Sequence, residues 1–236
     1  RQIARLGPAH LSLFDVSEYA LYEIDLEVGE AFPDLPRTAI IGDIRDRTRV
    51  MTAVADSGAD LIFHAAALKH VPLMEANVDE AVLTNVIGTR NLADAARAAG
   101  VAGMVLISTD KAVNPTNVMG ATKRLAEAYC QASATDTAGT GPRFTIVRFG
   151  NVLGSTGSVI PLFQRQLARG GPLTVTDPAM TRYFMTVGEA VELVLQAAVL
   201  DDSRIDSGAI CVLDMGQPVR ILDLAEQMIR LSGARP

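Results

Sequence analysis

The run Met104-Val105-Leu106-Ile107 leads directly into Ser108-Thr109-Asp110-Lys111-Ala112-Val113-Asn114-Pro115-Thr116-Asn117-Val118-Met119-Gly120-Ala121-Thr122-Lys123. Four consecutive apolar residues read as a parallel strand buried on both faces. The strand ends in two hydroxyls, a carboxylate and an ammonium. Asn114-Pro115 predicts an extended turn, because proline disfavours helix at the residue before it. A helix then starts near Val118 and carries Lys123 in its first turns. Open α/β sheets bind ligands outside the carboxyl ends of their strands, so this loop is the leading candidate site. The competing reading is a polar connection that only caps the next helix.

The same strand–helix alternation extends outward on both sides. Apolar runs predict strands at His10–Asp15, Thr38–Ile41, Leu61–Phe63, Phe144–Phe149, Pro172–Thr176 and Ala209–Asp214. Helical spacing of apolar residues predicts helices over Ser17–Gly29, around Val50–Ala55, over Asn77–Ala99, from Val118 to about Ala132, and over Val159–Arg169, Thr186–Leu200 and Ile221–Leu231. Arg1–Leu6 reads as the last turns of a helix stopped by Gly7-Pro8, and Ser133–Pro142 as a polar loop. The expected fold is α/β, a doubly wound parallel, Rossmann-like sheet without its first strand and glycine-rich loop. Residues 1–149 form the expected dinucleotide-binding domain. A smaller substrate subdomain, 150–236, begins at the glycine-rich crossing Gly150–Ser158, with 187–214 returning to the main sheet.

Composition narrows the class. The chain has 236 residues, 49% of them apolar and 20% charged, enough for a sizeable core. A net charge of −6 with no basic stripe argues against a nucleic-acid partner. The two cysteines, Cys130 and Cys211, lie far apart in apolar segments and read as reduced core residues. His10, His64 and His70 show no metal-ligand spacing, so no metal is expected. No apolar run reaches the ~18 residues of a membrane span and no signal peptide opens the chain, so the expected setting is cytoplasmic.

Other polar residues stand where a ligand could reach them. Asp15 closes a strand, as does the acid that accepts the adenosine ribose hydroxyls in a dinucleotide-binding unit, although an acid there is also a common turn or cap residue. The glycine-rich loop belongs about 20 residues before such an acid. There is no room for it here, so the expectation is a longer polypeptide, with any membrane anchor outside this chain, and weak NAD binding by this chain alone. His64-Ala65-Ala66-Ala67 ends another strand with side chains small enough for a flat ligand to approach, or for close helix packing. Asn85 lies close to the apolar stripe of its helix and must find partners there, in a bound water or the neighbouring strand.

Phe63-His64-Ala65-Ala66-Ala67-Leu68-Lys69-His70-Val71-Pro72 and Thr84-Asn85-Val86-Ile87-Gly88-Thr89 resemble the extended short-chain dehydrogenase/reductases. The Ser108–Lys123 stretch, Val147-Arg148-Phe149-Gly150-Asn151-Val152-Leu153-Gly154-Ser155 and Gly171-Pro172-Leu173-Thr174-Val175-Thr176 narrow the resemblance. They are similar to the nucleotide-sugar 4,6-dehydratases of bacterial polysaccharide biosynthesis, notably those acting on UDP-N-acetylglucosamine. That resemblance implies an internal redox reaction with NAD. Hydride leaves C4 of the sugar, water is lost across C5 and C6, and the hydride returns to C6. It implies Asp110 as the acid for the C6 hydroxyl, Lys111 as the C5 base and Thr109 as a hydrogen-bond partner of the C4 oxygen. Lys123 matches the lysine of the family's Tyr-x-x-x-Lys pair, and Met119 stands at the tyrosine position, as in the membrane-anchored branch. Methionine transfers no proton, so Asp110 acting through a water is the expected C4 base. The resemblance places the cofactor against Asp15, Asp43, Ile44, Ala65, Ala66, Ala67, Lys69, Asn85, Ser108 and Lys123. It places the UDP-sugar against His70, Asn151, Val159, Ile160, Thr174, Thr176, Met180 and Arg182. A homo-oligomer is expected. A nucleotide-sugar 4-epimerase and a non-catalytic binding paralogue are the alternatives.

Overall fold

A computed structural model describes residues 1–136, 141–154, 158–200 and 206–233. After a short helix α1 (Gln2–Arg5), β1 (Leu11–Asp15), α2 (Glu18–Ala31), β2 (Arg37–Ile41), α3 (Arg47–Ser57) and β3 (Leu61–His64) alternate. Next come α4 (Val71–Ala76), α5 (Val78–Val82), a π turn (Leu83–Ile87), α6 (Gly88–Ala98), β4 (Gly103–Thr109), a 3-10 turn (Asp110–Ala112), α7 (Val118–Asp136) and β5 (Arg143–Phe149). The C-terminal part holds β6 (Asn151–Val152), α8 (Val159–Ala168), β7 (Thr181–Arg182), β8 (Phe184–Met185), α9 (Val187–Ala198), β9 (Ala209–Val212), β10 (Val219–Arg220) and α10 (Ile221–Leu231).

Four strands form a parallel sheet in the order β3-β4-β5-β9, and β1 and β2 form a separate parallel pair. Alternation along the central strands sorts the core onto two faces. Met104 and Leu106 of β4 and Phe144 and Ile146 of β5 meet Val54, Leu92, Ala96, Ala126 and Cys130 from α3, α6 and α7. Val105 and Val147 face the other way, against Ala190, Val194 and Ala197 of α9. With helices on both faces, the expected α/β architecture is present, and β9 with α9 lies on the main sheet. Cys130 is buried and Cys211 half-buried, both as free thiols. Among the described residues no helix is long and apolar enough to cross a membrane.

Four sequence expectations change. The helix over Asn77–Ala99 is interrupted by the π turn, where Thr89 Oγ1 donates to the Asn85 carbonyl (2.7 Å) and Asn85 is buried. π turns of this kind are rare and concentrate at functional sites. Asn114 is left-handed (φ 45°) rather than extended, a conformation asparagine tolerates better than most residues. The composition of Pro172–Thr176 predicts a strand, but residues 172–176 form none: Gln166 satisfies Thr174 instead, accepting from its N–H (3.1 Å) and donating to its hydroxyl (2.8 Å). The polar loop begins later than expected, because α7 runs on to Asp136 and includes the buried Ser133 in its last turn. Residues 137–140 of that loop, and Ser155 to Gly157 of the glycine-rich crossing, lie outside the described residues.

Candidate active site

The carboxyl ends of β4 and β5 bring a group of hydrogen-bonded polar side chains together. Thr109 caps the 3-10 turn, accepting from Lys111 N (3.3 Å) and donating its hydroxyl to Asp110 Oδ1 (2.9 Å). Lys111 Nζ donates to the same carboxylate oxygen at 2.9 Å and to Asn151 Oδ1 at 3.2 Å. Both side chains remain partly open to solvent, 27% for Lys111 and 29% for Asp110. The turn thus places acid and amine within one proton's reach, and β6 supplies the residue that steadies the amine.

Gly120 sets how closely α7 approaches this turn. A Cβ there would collide with the Lys111 carbonyl, which is backbone and cannot swing aside. Gly120→Ala is expected to displace the Asp110–Lys111 turn and to lower activity well beyond any loss of thermal stability. Comparing kcat with the unfolding midpoint tests this; an unchanged kcat would refute it.

Lys123 lies one turn further along α7 and is buried, its Nζ donating to the Ile107 carbonyl at 2.6 Å. Burial pushes its pKa down to about 8, while the Glu127 carboxylate, and to a lesser extent Cys130, pull the other way. Unfolded, the lysine titrates near 10.5, so the native state is penalised wherever the ammonium is charged, below about 8, and is relieved as pH rises from about 8 to 10.5. Lys123→Met is therefore expected to stabilise the fold at pH 7 by up to about 3 kcal/mol, less the lost hydrogen bond. The gain should shrink above pH 8. Urea unfolding at pH 7 and pH 10 measures it, and a destabilised variant at pH 7 would contradict the argument.

Sequence reasoning did not reach Glu127, which anchors this end of the sheet. Its fully buried carboxylate accepts from Ser108 Oγ (2.6 Å), Arg148 Nε and Nη2 (2.7 and 2.5 Å) and Arg124 Nη1 (3.2 Å). The signal was present: Glu127 follows Lys123 by four residues and so shares its buried helix face. Ser108 is committed to this carboxylate.

Two buried asparagines hold the neighbouring loops. Asn85 accepts from Leu68 N (2.8 Å) and donates to Leu68 O (3.1 Å) and Thr122 Oγ1 (3.0 Å), tying the loop after β3 to α7. Its amide is spent on protein, so any role toward a ligand passes through the Leu68 backbone. Asn91 donates to the carbonyls of Ile44 and Arg45, both at 3.1 Å. Gly88 lets Ile44 sit against α6, where a Cβ would meet Ile44 Cγ2 at 2.7 Å. Asp43 is occupied by Arg45, which holds its carboxyl below the usual range.

The remaining expected site residues divide by position. Ala65, Ala66, Lys69 and His70 are exposed at the end of β3, with Ala67 half-buried. Asp15 is exposed at the end of β1, one oxygen accepting from Ser17 N (2.8 Å). Met119 is 5% exposed and packs with Met74 and Ala81, so it contributes volume rather than a polar group. Val159 and Ile160 open α8, and Val159 and Met180 pack around Phe163 and Ile221. Thr174 and Thr176 are exposed. Arg182, on β7, donates to the Thr181 carbonyl (2.8 Å). A cavity of about 560 Å³ adjoins Asp110 and is lined also by Arg148, Tyr183, Asp214 and Met215. Among the described residues no cluster of His, Cys, Asp and Glu could hold a metal ion.

This chain is similar over its full length to the capsular polysaccharide biosynthesis protein CapD of Staphylococcus aureus, at 48% identity over 236 residues, 38% of that protein's length. It is 42% identical over 156 residues to an inverting UDP-N-acetylglucosamine 4,6-dehydratase of Campylobacter jejuni, covering 66% of this chain and 46% of that one. A UDP-glucose 4-epimerase of Rickettsia canadensis is 46% identical over 157 residues, again 66% and 46% of the two chains. Among solved structures, Pen from Bacillus thuringiensis superposes with a TM-score of 0.87 at 37% identity, covering 99% of this chain and 69% of that one. A double mutant of the dTDP-glucose 4,6-dehydratase DesIV from Streptomyces venezuelae, solved with NAD bound, gives 0.81 at 25% identity, with 96% and 73% covered. The family described as polysaccharide biosynthesis protein matches residues 1–236, and the chain belongs to it.

Proposed function

We propose that this chain carries the active site of an NAD-dependent nucleotide-sugar 4,6-dehydratase. Its proposed substrate is a UDP-N-acetylhexosamine, UDP-N-acetylglucosamine first, converted to the 4-keto-6-deoxy sugar for surface polysaccharide or glycan. The observation that carries this reading is the Asp110–Lys111 contact at 2.9 Å. Moving one proton from Lys111 Nζ to Asp110 Oδ1 turns the ion pair into a carboxylic acid beside a free amine. Those are the two forms that dehydration needs: an acid to protonate the departing C6 hydroxyl and a base to take the C5 proton. Thr109, already bonded to Asp110, is the hydroxyl nearest the C4 oxygen in this reading, and Asp110 through a water takes the C4 proton. Buried Met119 leaves that proton to Asp110.

The residues present fit a nicotinamide dinucleotide. Exposed Ala65 and Ala66 leave the backbone after β3 approachable, Lys123 brings a cation to the end of β4, and Asp15 keeps one carboxylate oxygen without a protein partner among the described residues. When bound, the nicotinamide supplies a reversible hydride acceptor. Asp15 would accept the ribose hydroxyls and repel a 2′-phosphate, favouring NAD over NADP. Arg182 is the proposed phosphate contact, since a guanidinium fork matches phosphate oxygens. A homo-oligomer belongs to the same reading, with Leu73, Leu83 and Leu125 exposed on α4, the π turn and α7.

Epimerase relatives favour a second reading, inversion at C4. The paired acid and amine argue against it, because epimerisation requires no acid at C6. Incubating the protein, as its gene encodes it, with UDP-N-acetylglucosamine decides the matter. A 4-keto-6-deoxy product supports dehydration, and accumulation of the C4 epimer alone defeats it.

A further inference from the structure

We propose that Tyr183 and Asp214 read the hexose ring of the nucleotide sugar from the cavity that they line together with Asp110. The inference rests on the dehydratase reading above and adds two residues to its site. Both line the cavity of about 560 Å³ that also contains Asp110.

Three chain segments meet at Gly150 to close that cavity. Asn151 N donates to the Tyr183 carbonyl (2.9 Å), Leu213 N donates to the Arg148 carbonyl (3.0 Å), and Gly150 N donates to Met215 Sδ (2.6 Å). A Cβ on Gly150 would lie 3.0 Å from Met215 Sδ and 3.1 Å from both Tyr183 Cβ and Tyr183 O. A residue without a Cβ is what lets the walls approach this closely. The adjacent Asn151 holds Lys111 (3.2 Å). Two consecutive residues therefore fix the Tyr183 and Met215 segments relative to the Asp110–Lys111 pair.

The polar groups facing this space select a ligand class. The Arg148 guanidinium is spent on Glu127. Asp214 accepts from Gly216 N through Oδ1 (3.0 Å), and its second oxygen and the Tyr183 hydroxyl have no partner among the described residues. Asp110 is already paired with Lys111 and Arg148 with Glu127, while Asp214 has no cation partner among the described residues, so this space offers a diphosphate no free cation and one uncompensated negative charge. It suits a neutral ring bearing hydroxyls, one of which can donate to Asp214. Val113, Leu213 and Met215 supply apolar surface for the ring's C–H face. The diphosphate must then lie outside this cavity, so the two residues distinguish sugar from nucleotide.

Parallel calorimetric titrations with UDP and with UDP-N-acetylglucosamine, on the protein as its gene encodes it, test this. Asp214→Asn is expected to weaken UDP-N-acetylglucosamine binding by about tenfold, and Tyr183→Phe by roughly threefold, with UDP affinity unchanged in both. Both side chains are exposed, so folding should be preserved. If the parent prefers the sugar nucleotide over UDP and both variants keep that preference, the inference fails while the dehydratase reading stands. Equal losses for UDP and the sugar nucleotide would also overturn it. A parent that binds neither ligand removes the dehydratase reading itself, and this inference with it.

Discussion

Asp110→Asn is expected to lower dehydration of UDP-N-acetylglucosamine by roughly 10²–10⁴-fold, the usual contribution of a general acid or base. The asparagine keeps the size of the side chain and an oxygen for the Lys111 ammonium. It cannot supply a proton to the C6 hydroxyl. Cofactor binding should persist, because Asp15, Lys123 and the loop after β3 are untouched. Lys111→Ala should cost a similar factor by a different step, slowing exchange of solvent deuterium into C5. Met119 provides the control. It is packed against Met74 and Ala81, so truncation would confuse packing with chemistry, whereas Met119→Leu keeps the volume. Near-parental turnover is expected for that variant. Product formation followed by mass spectrometry, with deuterium content read at C5, separates the three. Full activity in Asp110→Asn, or a Met119→Leu variant as impaired as Asp110→Asn, would reassign the roles.

The position of that pair at the end of β4 was readable from sequence for a physical reason. A strand buried on both faces must be a continuous apolar run, so Met104–Ile107 announced β4, and the first polar residues after it had to sit at the sheet's carboxyl edge. Caps such as Ser17 and Asp46 belong to the same locally legible class, because each accepts from a backbone N–H of its own helix three residues on. Longer-range dependencies were not legible. Glu127 is understood only once β4 and β5 bring Ser108 and Arg148 to it. Tyr183 and Asp214 sit on separate segments whose meeting depends on Gly150, and nothing local marks either as part of a cavity. The stretch 172–176 has the composition of a strand, but a side chain, Gln166, takes the backbone group that a ladder would have used. A helix-long apolar stripe also gave no hint of the π turn, since one added residue changes the register without changing the composition.

His64 carries the other large expected effect, on stability against acid. It ends β3 at 2% exposure, and its Nε2 lies 2.8 Å from Thr89 Oγ1. That hydroxyl has one hydrogen and donates it to the Asn85 carbonyl (2.7 Å), so toward His64 it can only accept. Nε2 therefore carries a proton and donates it to Thr89, and the chain His64–Thr89–Asn85 holds the π turn to the sheet. Burial, reinforced by the Lys123 ammonium, pushes the His64 pKa down to about 3. The unfolded chain binds this proton near 6.5 and the native state only near 3, so stability is complete above about 6.5 and is lost as pH falls toward 3. The slope for this one group approaches about 1.4 kcal/mol per pH unit, and the whole window amounts to roughly 5 kcal/mol. Carboxylates held low, Asp43 by the Arg45 guanidinium and Asp94, against its burial, by the Tyr129 hydroxyl and then Arg47, add losses only at the acid end of that window. Between pH 6 and pH 4.5 the histidine should dominate. Urea unfolding across that interval is expected to show a steep fall for the parent and a shallower one for His64→Gln, whose amide can still donate to Thr89. Proton NMR of the intact protein gives an independent reading, with the His64 ring resonances expected to stay constant down to pH 4.5. A ring that titrates near 6.5 in the folded protein would show that this imidazole is not held neutral by its surroundings.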